Sequence, residues 1–67
     1  MKWEAVKEGE QAISGNSVGV VEKLEWGKAK AFVLTAENAY RGEKFKYIYK
    51  TEKAAKEAFE KIAIEWR

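Results

Sequence analysis

Apolar and polar residues alternate with period two along much of the chain up to Lys50, and the spacing then turns helical. Residues 2–7 predict a short strand, with Trp3 and Ala5 on one side and Lys2, Glu4 and Val6 on the other. Glu8-Gly9 is a turn signal, and Glu10–Ser14 predicts a second short strand. Ser14-Gly15-Asn16-Ser17 is a dense turn cluster, because Gly and Asn tolerate positive φ.

Val18–Trp26 and Ala29–Ala36 predict a hairpin. Gly27-Lys28 suits a two-residue type II′ turn, which places Gly at its first central position. That turn sets Trp26 opposite Ala29, Leu24 opposite Ala31 and Val20 opposite Thr35. On the other face Glu25 meets Lys30, Lys23 meets Phe32, and Val21 meets Leu34. Glu37–Glu43 reads as a loop around Asn38 and Gly42. Lys44–Lys50 then alternates, with Phe45, Tyr47 and Tyr49 on one face and Lys44, Lys46, Ile48 and Lys50 on the other.

Residues 52–66 predict a helix. Thr51 is a suitable N-cap, and Glu52 complements the positive end of the helix dipole. Ala55, Phe59, Ile62 and Trp66 form a single apolar stripe, flanked by Ala58 and Ala63. Glu52 with Lys56, and Glu57 with Lys61, make i,i+4 pairs in the favoured order on the opposite face.

The expectation is one domain, 1–67, of α+β class: a small twisted antiparallel sheet of three to five strands packed on one C-terminal α-helix. One helix covers one sheet face, yet both faces of the central hairpin carry apolar residues. Val20, Leu24, Trp26, Ala29, Ala31 and Val33 lie on one; Val21, Phe32 and Leu34 lie on the other, beside Lys23, Glu25 and Lys30. Three arrangements satisfy this. The N-terminal strands, with Trp3 and Ile13, fold over the second face and close a small barrel; a dimer buries it; or it is a binding face. Of the three tryptophans, Trp26 and Trp66 are assigned to the core and Trp3 is left open.

Composition narrows the chemistry. There is no Cys and no His, and all eleven acidic residues are Glu. Disulfides, Cys/His zinc sites, Cys nucleophiles and Ser-His or Cys-His pairs are therefore excluded. No phosphate loop or dinucleotide fingerprint is present, since Gly15-Asn16-Ser17-Val18-Gly19 lacks the following Lys-Ser/Thr. A chain this short leaves little room for a concave pocket of ~300 Å³ or more, so no enzymatic activity, cofactor or metal is expected. The longest apolar run, Ala31-Phe32-Val33-Leu34, is far below the ~20 residues that span a bilayer, and no charged-then-apolar leader opens the chain; a cytoplasmic protein is expected.

The net charge is +2. Residues 1–36 balance five Lys against five Glu, so the excess sits in Arg41–Lys50, where Arg41, Lys44, Lys46 and Lys50 face only Glu43. Such a strand either follows a phosphate backbone or is an edge strand whose lysines block aggregation.

The stretch Trp26–Ala63, with its Trp-Gly-Lys start, aromatic strand and Thr51-Glu52-Lys53-Ala54-Ala55 helix opening, resembles the plant AP2-type DNA-binding domain. It is also similar to the arm-site-binding N-terminal domain of tyrosine integrases. Both place a three-stranded sheet against one helix, and the resemblance implies that Lys28, Lys30, Lys44, Lys46 and Lys50 occupy the strand positions that face DNA. Those families use Arg-rich strands, whereas the only interior Arg here is Arg41, in a loop. The strands-then-helix layout also resembles small bacteriophage accessory proteins, which act by binding a host protein. The leading expectation is a non-enzymatic protein-binding module, of phage accessory or inhibitor type, with Val21, Phe32 and Leu34 as the exposed apolar patch. The alternative is a nucleic-acid-binding module using the Lys-bearing sheet, and a homodimer is the third reading. An aliphatic face away from the helix favours a protein partner or dimer; a Lys-and-aromatic face favours nucleic acid.

Overall fold

The computed structural model describes residues 1–66. Five strands, β1 (Glu4–Val6), β2 (Gly9–Ser14), β3 (Ser17–Trp26), β4 (Ala29–Asn38) and β5 (Glu43–Tyr49), precede one helix, α1 (Glu52–Glu65). The strands form one antiparallel sheet in the order β1-β2-β3-β4-β5, each beside its sequence neighbour. The fold is α+β, as the patterning requires.

The β3–β4 register is the one the turn dictates. Trp26 pairs with Ala29, Leu24 with Ala31, Val21 with Leu34 and Val20 with Thr35. Gly27 has φ +61°, which the first central position of a type II′ turn demands, while Lys28 keeps a negative φ. The expected loop at 37–43 is shorter than its sequence suggests. β4 runs on to Asn38 because Asn38 pairs with Ser17 across the sheet, and its Nδ2 donates to Ser17 Oγ at 2.9 Å. Its Oδ1 accepts from the Arg41 backbone N–H at 2.9 Å, so both ends of this buried amide are satisfied.

The helix begins where Thr51 caps it, its Oγ1 accepting from the Ala54 N–H at 3.1 Å. It packs on β3, β4 and β5 through Ala55, Phe59 and Ala63. The sheet face beneath it is built from Ala12, Val21, Leu34 and Ala36, all buried. Ala12, Gly19 and Ala36 lie in one row across β2, β3 and β4, a trough of small residues. The Phe59 ring fills that trough, with Trp3 edge-on at a centroid distance of 5.6 Å.

The helix therefore sits on the Val21–Leu34 face, which corrects two expectations. Val21 and Leu34, expected as an exposed patch, are core residues, and Phe32 is half-buried against the same core. The N-terminal strands do not close a barrel over the other face. β1 extends the sheet edge, and Trp3 turns towards the helix side. The physical reason is close approach: a helix docks where small side chains let it sink, and only this face offers three in a row.

Candidate functional site

The face away from the helix is open, and its composition follows from strand parity. β3 contributes Val18, Val20, Glu22, Leu24 and Trp26; β4 contributes Ala29, Ala31, Val33, Thr35 and Glu37; β5 contributes Lys44, Lys46 and Ile48. β2 adds Gln11 and Ile13, and β1 adds Glu4 and Val6. The large apolar side chains are well exposed: Trp26 by 59%, Leu24 by 40%, Ile13 by 63% and Ile48 by 73%. Trp26 is thus a surface residue rather than the core residue expected, while Trp3 takes the core role by packing on Phe59. Trp66 stacks on Phe45 at 5.8 Å and is half-buried, in keeping with its place on the helical stripe.

The β3–β4 hairpin is an arm. Every residue from Lys23 to Lys30 is exposed, and the molecule measures 38 × 19 × 18 Å. The arm is amphipathic. Leu24, Trp26 and Ala29 continue the open apolar face, with Ala31 on the same face but buried between its neighbours, whereas Lys23, Glu25 and Lys30 line the helix side. Lys23 Nζ lies 2.8 Å from Glu25 Oε1, and this hydrogen bond and charge hold the Glu25 carboxyl below the usual carboxylate range.

The candidate nucleic-acid residues do not converge. Lys44 and Lys46 lie on the open face, Lys30 is opposite Glu25 on the other, Lys28 sits in the arm's turn, and Lys50 follows β5 before the helix. The basic run is also partly compensated. Arg41 Nε is 3.4 Å from Glu43 Oε2, and Lys44 Nζ is 4.0 Å from Glu37 Oε2.

An ionic cluster fastens the helix to the sheet at the arm end of the core. Lys56 Nζ contacts Glu10 Oε2, lies 2.8 Å from Glu52 Oε1, and stands 5.5 Å from the Trp3 ring centroid. Hydrogen bonds to Glu10 and then Glu52 raise the Lys56 pKa. The Lys56 hydrogen bond, chiefly, lowers that of Glu52.

At the opposite end the Ser14–Ser17 turn, the loop after Asn38 and Trp66, with Tyr40 and Arg41, outline an open cleft of about 570 Å³, more room than a chain this short was expected to leave. Two buried polar residues, Ser17 and Asn38, hydrogen-bond to each other beneath it. Among the described residues no group of acidic side chains is placed to hold a metal ion, and no helix is long and apolar enough to cross a membrane.

The alternation groups Val20, Leu24, Trp26, Ala29, Ala31 and Val33 on one face, as observed, but does not say that the helix covers the other. The missed signal was the shared parity of Ala12, Gly19 and Ala36 with Val21 and Leu34. No protein-family model matches the chain, and neither the curated proteins nor the solved structures give a significant match.

Proposed function

We propose that this protein is a non-enzymatic protein-binding module, of the accessory or inhibitor type, whose docking surface is the open sheet face and its arm. One observation carries the reading: the sheet face opposite the helix carries Val18, Val20, Leu24, Val33 and Ile48 among its polar positions, and ends in an exposed Trp26 at the tip of the arm. Contiguous exposed apolar surface on a small domain marks an interaction site, and an exposed Trp beside aliphatic residues is the usual anchor of one. Both edges add charge, with Glu4 beside Val6 on β1 and Lys44 and Lys46 beside Ile48 on β5, in keeping with a mixed interface rim.

The nucleic-acid alternative needs a basic face, and the lysines here are divided between two faces and the arm's turn. The test is a photo-crosslinking residue placed at Leu24, with the same residue at Glu57 on the outer helix face as control. Under this reading, crosslinks to protein form from position 24 and not from 57. Crosslinking from neither position, or from 57 alone, would refute it.

A further inference from the structure

Resting on that reading, we infer that the occupant of the open face is a second copy of this chain, packed face to face as a two-sheet sandwich. The face is complementary to itself. Its β3 column is large (Val18, Val20, Leu24, Trp26), and its β4 column is small (Ala29, Ala31, Val33, Thr35). A two-fold axis parallel to the strands, running between β3 and β4, sets each β3 over the β4 of the other copy. Leu24 then lies over Ala31 of the second copy, and Trp26 over Ala29 of the second copy. Knobs meet hollows without any side chain meeting its own duplicate.

The central polar row agrees with this axis, while in the next row Glu37 and Lys44 face Val18 and Ile13 of the second copy and keep their own ion pair at 4.0 Å. The rows across the sheet run Glu4–Gln11–Val20–Thr35–Lys46 and Ile13–Val18–Glu37–Lys44. Under the same rotation β2 lies over β5 of the copy, so Gln11 faces Lys46 of the second copy and hydrogen-bonds it. Glu22, the single charge on β3 in this face, lies one row and one strand from that lysine, about 8 Å in plan. Both are long side chains, and Lys46 of the second copy supplies the counter-charge that Glu22 needs once water is excluded. Pairing through the β5 edge instead would set the lysines of one copy against those of the other.

The areas fit as well. β2 to β5 present roughly 550 Å² in plan, and side-chain relief brings that towards the ~800 Å² per partner of a standard interface. The monomer exposes 4927 Å². A compact chain of 7.7 kDa would expose about 4,300 Å², so the open face and arm leave surplus surface of the size that one such contact removes.

The experiment is sedimentation equilibrium of the full chain at about 100 μM, well above a Kd of ~1 μM. The wild type should sediment at twice 7.7 kDa, and Leu24→Lys and Glu22→Lys should each halve that mass with the helical circular dichroism unchanged. Both substitutions are on the open face, outside the core under the helix, so the fold survives them. Combining Glu22→Lys with Lys46→Glu should restore the dimer. A wild-type monomer overturns the inference, as does a dimer that Leu24→Lys leaves intact or a charge swap that restores nothing. A monomer that still crosslinks to another protein from position 24 defeats the second-copy inference while leaving the docking reading standing.

Discussion

The Phe59 ring lies so close over Gly19 that a Cβ placed there would stand 2.5 Å from its Cγ and Cδ1 atoms. Helix and sheet are thus in contact at the one central-strand position that has no side chain. The Gly19 backbone has no positive φ, so its requirement is space and not conformation. Gly19→Ala should destabilise by about 1–3 kcal/mol through overpacking, against the mild gain that Ala brings to strand propensity. Phe59→Ala should cost about 3–5 kcal/mol, comparable with the whole stability of a domain this small. In the double variant the penalty of Gly19→Ala should vanish, because the added methyl enters the vacated space. Urea denaturation of the four proteins measures this; additive losses would mean that Phe59 does not dock on Gly19.

A second prediction concerns Asn38. Its side chain bridges Ser17 Oγ and the Arg41 N–H at the end of β4. Asn38→Leu should cost about 1–3 kcal/mol, because it strands a buried hydroxyl and removes the acceptor that holds the loop after Asn38. Amide exchange at Arg41 and Gly42 should accelerate while the helix stays protected. Unchanged exchange there would show that the loop is held by its backbone bonds, Gly42 N–H to the Asn38 carbonyl and Ala39 N–H to the Asn16 carbonyl.

The Lys56 cluster predicts a pH dependence of definite sign. The Glu52 pKa is lowered from 4.5, so its contribution is complete above that value and is lost as pH falls through its lower folded value. The Lys56 pKa is raised from 10.5, so its contribution is complete below that value and is lost as pH rises through the raised folded value. Lys56→Met removes the ammonium from Glu10, Glu52 and the Trp3 ring while keeping a side chain of similar length. The loss should be about 1–2 kcal/mol near neutrality: both carboxylates are only half-buried, which leaves the pairs screened, but the buried Glu10 Oε2 loses its ammonium. The variant's melting temperature should fall less steeply than that of the wild type below pH 4.5. Parallel acid profiles would show that the cluster contributes nothing to folding.

Trp26 should be dispensable for folding. It is 59% exposed at the arm's tip and belongs to no buried cluster. Trp26→Ala should shift stability by no more than about 0.5 kcal/mol, while abolishing any association through the open face. A large loss of stability in a monomeric state would place the Trp26 ring against the body of the domain.

A protein-docking sheet also predicts weak behaviour towards DNA. At about 50 mM salt, mixed duplex should not be bound with a Kd in the 10⁻⁴–10⁻⁶ M range, and replacing Lys44 and Lys46 with Gln should change nothing. Tight, salt-sensitive retention of duplex that weakens evenly on those replacements would favour the phosphate-backbone reading instead.

Local rules sufficed for much of this molecule. The β3–β4 register follows from Gly27 at a turn position that demands positive φ, and a two-residue turn leaves the strands no other alignment. The helix start follows from Thr51, and its packing face from the spacing of Ala55, Phe59, Ile62 and Trp66, although Ala63 is buried where Ile62 and Trp66 are half-buried. What the chain pattern left undecided was the side of the sheet that the helix covers. Period-two alternation separates the two faces but does not rank them when both are apolar. Only tertiary structure ranked them, because the trough that admits Phe59 is assembled from Ala12, Gly19 and Ala36 on three different strands. The same choice reversed the expected roles of Val21 and Leu34, which became core, and of Trp26, which stayed in solvent. It also drew Trp3 under the helix, where Phe59 and Lys56 meet its ring. Closeness of approach is a property of a surface, and a surface exists only once strands distant in sequence lie side by side.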